Sequence, residues 1–307
     1  MSVAIPIFRA PSDPGGYRSA PLQRQLARRN ELRLTPSLES GLSAEDLQAE
    51  IGDRLLEEDF LEDAREAIAP ALREVPRDAD RFVRWFDSLR EIGPGQGDAL
   101  FPWLAEAASL EQFRWFLGQE VAGEAGFEDL LALTQIKMPL AAKLEMARNY
   151  WDEMGRGREA ELHGLLLSRL ADQLKARLPA EQILAEPLAL SNLMAALAWN
   201  RRYAFQSLGA LGVIELTAPG RARLVNAGLR RLGCEATTRK YFALHATLDV
   251  QHSEAWNREV LRPLVAADPR YAHAFAEGAL LRLQAGAGCF AAYRAHLWGT
   301  SPANDAG

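Results

Sequence analysis

The sequence predicts an all-α protein, and three observations predict it. From Ser43 onward, apolar residues recur at three- and four-residue spacing through nearly the whole chain. Strand signals are almost absent, because β-branched residues are scattered and no hairpin turn lies between alternating runs. The interruptions are of the helix-ending kind, as in Ile92-Gly-Pro-Gly-Gln-Gly97. No internal repeat of solenoid length is present.

Taken in order, residues 1–40 are rich in Pro, Gly, Ser and Arg and are expected to form an irregular N-terminal arm, with Leu22, Leu26 and Leu32 able to pack on the body. Ser43-Ala-Glu-Asp46 has an N-cap serine and acids in the first turn. Segments 59–74 and 77–92 are amphipathic, so 41–100 are read as accessory helices packed on a core. Helices are then expected near 109–135, 138–154, 158–177, 180–199, 201–217, 219–232, 235–262 and 268–285, within a main domain of 101–300. The small, polar tail after Trp298 is expected to fray.

Composition narrows the class. With 48% hydrophobic and 25% charged residues, the chain has ample material for a core. No apolar run approaches the roughly 18 residues of a membrane span, and Met1–Gly16 does not read as a secretory signal. Two cysteines, Cys234 and Cys289, cannot make a disulfide framework, so a cytoplasmic location is expected. A net charge of -6 argues against nucleic acid as a partner.

The chemistry concentrates in a few residues. Two of five histidines fall in Tyr241-Phe-Ala-Leu-His-Ala-Thr-Leu-Asp-Val-Gln-His252. On a helix, i, i+4 and i+7 sit at about 0°, 40° and −20°, so His245, Asp249 and His252 share one narrow stripe. Imidazole with carboxylate suits iron, manganese or zinc, and the lack of thiolates disfavours a structural zinc site. A solvated polar face explains the triplet equally well if it is taken alone.

A single helix cannot enclose a metal, so further carboxylates must come from elsewhere. Glu153 and His163 are separated by a Gly155-Arg-Gly157 break. Ten unbroken helical residues would hold them about 15 Å apart along the axis, and the break is what could bring both to one centre. Otherwise Asp152 and Glu153 are ordinary surface acids at a helix end. Glu215 lies among small and apolar residues, where an acid without a partner is costly. Glu120, with Glu124 one turn on, follows the apolar Phe116 and Leu117. Two Fe(II) ions would balance the four charges of Glu120, Glu153, Glu215 and Asp249, with neutral His163, His245 and His252 completing the shell. Four buried carboxylates without metal would repel one another strongly.

Asn149-Tyr-Trp-Asp-Glu-Met-Gly-Arg-Gly157, then His163, Glu215 and His245-x3-Asp249-x2-His252, resembles the haem-oxygenase-like diiron oxidases and oxygenases, often described as iron-containing redox enzymes. The resemblance covers roughly 110–290. It implies a seven-helix haem-oxygenase-like bundle, here with extra N-terminal helices, and two metals between core helices. It assigns the metal to Glu120 (or Glu124), Glu153, His163, Glu215, His245, Asp249 and His252. Ferritin-like proteins carry two Glu-x-x-His motifs, whereas Asp249-x-x-His252 is the only comparable motif here. Haem is disfavoured, because clustered acids oppose burial of a large apolar ring.

The function expected from this resemblance is O2-dependent oxidation of a small molecule at two Fe ions. The outcome is either N-oxygenation of an amine or oxidative C–C cleavage of an amino or fatty acid, with an electron donor that the sequence does not name. Tyr150, Trp151, Tyr241 and Trp256 are candidates for orienting ligands or passing electrons, or else for plain core packing. Arg148, Arg239 and Lys240 are candidates for a substrate carboxylate. The competing expectations are a non-catalytic helical scaffold with a vestigial or structural metal site, and a cofactor-free oxidase on the same fold. The accessory helices are expected to cover the core or shape a homodimer interface.

Overall fold

The computed structural model describes residues 19–38, 41 and 43–299. Among these residues there are helices, turns and loops but no strand. The helices are α1 (Ala20–Leu34), α2 (Ala44–Leu72), α3 (Ala79–Ile92), α4 (Leu100–Glu106), α5 (Leu110–Gly123), α6 (Phe127–Thr134) and α7 (Leu140–Glu153). They are followed by α8 (His163–Leu174), α9 (Ala185–Trp199), α10 (Ala204–Arg231), α11 (Lys240–Trp256), α12 (Arg262–Ala267) and α13 (Arg270–Gly299).

Local chemistry accounts for several boundaries. Ser43 caps α2 in a full capping box, its hydroxyl accepting from the Asp46 N–H while the Asp46 carboxylate accepts from the Ser43 N–H, each at 3.0 Å. Ser109 and Gln112 repeat the device on α5. The helix expected over 109–135 breaks at Gly126, which adopts a left-handed φ of 72° and starts α6.

Three further expectations change in the fold. Residues 20–34 are helical rather than irregular. A buried amide ladder docks α1 on α9: Asn30 Nδ2 donates to Asn192 Oδ1 at 2.9 Å, and Asn192 Nδ2 donates to Gln23 at 2.8 Å. Polar residues that looked loop-like are thus the adhesive. The two helices expected on either side of Pro219 are one, α10. Proline there removes the bond to the Glu215 carbonyl and costs about 3 kcal/mol, but the helix is buried on both sides of the proline. The helix expected through 262 ends at Trp256 and passes into a π turn over Asn257–Leu261. Pro263 cannot donate to the Glu259 carbonyl, and the backbone takes the wider turn. Of the tail expected to fray, Gly299 still belongs to α13, while residues 300–307, like residues 1–18, lie outside the described residues.

The core is organised around α10, which packs on α11 and α13 along most of its length. Glycines set the closest approach. A Cβ on Gly209 would stand 1.9 Å from the Phe275 carbonyl oxygen, and one on Gly278 would stand 1.7 Å from that of Gln206. Gly212 faces the Trp256 ring, which is fully buried with its indole N–H donating to the Leu208 carbonyl at 3.2 Å. Trp256 is therefore a packing residue, consistent with the plainer of its two readings. The helices α2 and α3 lie on α13 and on α10 with α12, respectively. None of the described helices is long and apolar enough to cross a membrane.

Candidate metal centre

Four core helices aim donors at one region. The helix α7 presents Asn149 and, one turn on, Glu153 at its last position. The chain then reverses through Gly155, Arg156 and Gly157, with φ of 60°, 54° and 80°. At Gly155 a Cβ would stand 2.6 Å from the Glu161 backbone, so a side chain is excluded sterically as well as by φ. This turn restarts the helix at His163, and His163 Nδ1 comes 2.6 Å from Glu153 Oε2. Glu215 comes from the middle of α10, and His245, Asp249 and His252 from α11.

Two overlapping sets of ligand atoms result, each with all its atoms within 4.8 Å of one another: Glu153, His163 and His245, and Glu153, Glu215 and His252. Glu153 belongs to both. Asp249 lies outside these tight sets, but it lines the same cavity and feels the charges of Glu215 and Glu153.

The outer hydrogen bonds fix which ring nitrogens face inward. The Tyr241 carbonyl can only accept, so His245 Nδ1 donates to it at 2.7 Å and Nε2 carries the free lone pair. Asp152 Oδ2 accepts from His252 Nε2 at 3.1 Å, leaving His252 Nδ1 3.4 Å from Glu215 Oε2. Asn149 Nδ2 donates to Glu215 Oε1 at 2.6 Å. A carboxylate or carbonyl behind each imidazole is how metal-binding histidines are usually held.

The donors do not satisfy one another. His163 Nδ1, His252 Nδ1 and Asp249 Oδ1 are buried without a hydrogen bond. His163 Nδ1 and Glu153 Oε2 are near but misaligned as donor and acceptor, which is the arrangement of two lone pairs directed at a common point. Buried polar atoms are seldom left this way, and a cation accounts for all of them together.

Burial holds Glu153 well above the usual carboxylate range, with Glu215 adding to the effect. Asp249 is raised by burial and then by Glu215 and Glu153. His163 and His245 are pushed down to about 4, chiefly by burial. Burial works in the same direction on His252, but the adjacent Glu215 carboxylate and the bond to Asp152 override it and raise the ring to about 9. Without metal, His252, Glu153 and Asp249 thus all keep their protons to higher pH than the same groups in water. With metal, those protons must leave.

Several sequence candidates fall elsewhere. Glu120 lines the cavity but belongs to neither ligand set; the charges near it are Arg221 and Arg282, and the Tyr293 hydroxyl is beside it. Glu124 accepts from the Phe127 N–H at 3.1 Å and so caps α6. Both acids of α5 and its C-cap thus line the donor cavity without joining either tight set. Glu128 on α6 is nearer: its charge acts on Glu153 and His163, and Gly164 leaves room for its carboxylate. Trp151 is 54% exposed and is not an internal relay. Tyr150 is partly buried against the core. Tyr241 lines the cavity and packs on His245 with ring centroids 4.3 Å apart.

The basic candidates also change. Arg148 pairs with Glu145, Arg239 bonds Asn226, and Lys240 pairs with Glu161 at 2.5 Å. The arginines on the cavity are Arg221 and Arg282, neither of which was singled out from sequence. Arg282 carried a signal: it interrupts Leu280-Leu-Arg-Leu283, and a charge in apolar company argues for an inward role just as it did for Glu215. Asp152, read as a surface acid, orients His252.

An all-helical frame with a buried carboxylate–imidazole centre defines a class of metalloprotein that takes iron or a similar borderline cation. Residues 114–287, more than half the chain, match the family model described as iron-containing redox enzyme, and the chain belongs to that family. The haem-oxygenase-like family fits the all-α fold, and membership makes the chain an oxidoreductase by family. A search of curated proteins finds no match.

Proposed function

We propose that the chain is a non-haem diiron oxidoreductase that uses O2 to oxidise a small metabolite. The observation that carries this reading is the pair of donor sets sharing Glu153, since two sets joined by one carboxylate suit two ions better than one. Glu153, His163 and His245 would hold one iron, and Glu153, Glu215 and His252 the other, with Asp249 completing the shell. A haem is a poor fit, because its apolar ring would have to lie against Glu153, Glu215 and Asp249.

When bound, two ferrous ions supply electrons for the activation of O2. The chain's own residues set the conditions for that chemistry. Asp152 and the Tyr241 carbonyl hold the rings of His252 and His245 in fixed tautomers. Asn149 holds Glu215 through one oxygen and leaves the other facing His252. Leu167, Leu190, Met194 and Ile214 line the cavity beside the donors and limit the water that can enter with a substrate.

The reaction class stays with the two outcomes that the resemblance implies, N-oxygenation of an amine or oxidative C–C cleavage of an amino or fatty acid. Free Cys234 and Cys289 support a reducing, cytoplasmic setting. The exposed Leu47, Ile51 and Leu55, one turn apart on α2, support a homodimer. The test is anaerobic Fe(II) loading followed by stopped-flow absorbance with O2 across amines, amino acids and fatty acids. About two irons per chain with substrate-dependent O2 consumption is expected. No iron uptake would favour a scaffold, and turnover in chelator-treated protein would favour a cofactor-free oxidase.

A further inference from the structure

The cavity has a second polar end that the metal reading does not use. Arg282 on α13 and Arg221 on α10 line it, and the carboxylates whose charge acts on them are Glu120 and Glu124, not Glu153, Glu215 or Asp249. Among the described residues, Arg282 has no hydrogen bond and no carboxylate within ion-pair distance. Arg221 is held by Thr217 Oγ1 at 3.2 Å and by Gln96 Oε1 at 3.4 Å, with its guanidinium 5.5 Å from the centre of the Phe290 ring. It too lacks a contacting carboxylate. The two acids in this part of the cavity are otherwise engaged, Glu124 as the cap of α6 and Glu120 beside Tyr293.

Both arginines are partly buried and face the cavity, and a guanidinium drawn out of water without a contacting anion is costly. Arginine is also the side chain whose fork matches a carboxylate through two parallel bonds. Between the two ends the walls are apolar, with Met194, Ile214, Ala218 and Ala222 among them. The cavity measures about 170 Å³, slightly more than the roughly 150 Å³ that accommodates benzene. The enclosed part therefore suits a short acid, and a dianion such as phosphate would meet Glu120 and Glu124.

We infer that this end is a carboxylate-binding subsite, in which Arg282 and Arg221 hold the acid group of a small monoanionic substrate whose apolar body points its other end at the donor cluster. The second half of this statement rests on the proposed metal centre; the anion site does not. It narrows the substrate to a short carboxylic or amino acid.

The test is isothermal titration of the full-length chain, metal-free and Fe(II)-loaded without oxygen, with hexanoate, hexanamide and inorganic phosphate. Hexanoate is expected to bind both forms, with hexanamide and phosphate weaker by about thirtyfold or more. Arg282→Met should abolish the preference for hexanoate while keeping wild-type iron content and a melting temperature no lower than wild type, because it removes a partly buried cation that contacts no carboxylate. Equal binding of acid and amide would overturn the inference, as would a preference unchanged in Arg282→Met or a marked fall in its melting temperature. Binding of hexanoate only when iron is present would put the carboxylate on the metal and also overturn it. A chain that takes up no iron yet still prefers hexanoate would sink the metal reading and support this one.

Discussion

The two ends of the cavity solve opposite electrostatic problems. At one end Glu153, Glu215 and Asp249 crowd together with imidazoles whose lone pairs face inward, an excess of negative charge and donor atoms. At the other, two guanidiniums stand without contacting carboxylates. The donor end leaves buried polar atoms without partners, and the arginine end leaves cationic charge without a contacting anion. Under the readings proposed above, a cation answers the first imbalance and an anion the second. A small acid with its reactive end at the metals meets both needs.

The largest effect that would break this comparison concerns Glu153. Because it belongs to both donor sets, Glu153→Ala should abolish binding of both irons, whereas His245→Ala should remove one of about two, read as iron per chain after desalting. Equal losses from the two variants would sink the shared-ligand arrangement. Gly209→Ala tests the frame instead. Its Cβ would stand 1.9 Å from the Phe275 carbonyl oxygen, so α10 and α13 must separate, and destabilisation of about 3 kcal/mol is expected in urea unfolding. A smaller effect should follow Asp152→Asn, which weakens the hydrogen bond that fixes His252: iron affinity should fall about 10- to 100-fold with the unfolding midpoint nearly unchanged.

Proton linkage sharpens the contrast further. His252 lies near 9 in the metal-free state, so it holds a proton near neutrality that a cation must displace, and the upward shifts of Glu153 and Asp249 act in the same direction. Iron affinity should therefore rise with pH towards about 9 and fall as the site protonates at lower pH. Calorimetry in buffers of different ionisation enthalpy should detect proton release, and pH-independent affinity would contradict the assignment. The stability of the metal-free protein has its own sign. The folded-state value for His252 is raised, so its contribution is complete below about 6.5 and is lost as pH rises through about 9. The smallest effect is expected at Arg148, whose guanidinium is exposed and paired with Glu145. Arg148→Gln should leave carboxylate binding unchanged and shift stability by no more than about 0.5 kcal/mol.

Much of the donor cluster was legible because metal chemistry leaves a spacing signature. His245, Asp249 and His252 declare a shared face through i, i+4, i+7 spacing alone, and Glu215 betrays burial by its apolar neighbours. The Gly-x-Gly interruption flagged that Glu153 and His163 need not lie on one straight helix. A position on the buried side of α5 told that Glu120 faces the cavity, but not which donors it stands beside. Asp152 was overlooked because an acid at a helix end usually meets water, and only the neighbouring helix supplies His252. The helix at 20–34 was missed because its anchors are Gln23 and Asn30, whose role depends on Asn192 about 160 residues away.

What the sequence by itself determined is the helical character of the chain, the caps of α2 and α5, and the stripe on α11, since these depend on periodicity and on groups within four residues of one another. What only the tertiary structure decided is which inward acids share a point, which of the chain's arginines face the cavity, and that α10 runs unbroken through Pro219. Those outcomes are set by helix crossings between distant segments, where one glycine or one carbonyl fixes a separation to within an ångström, and no local pattern encodes that distance.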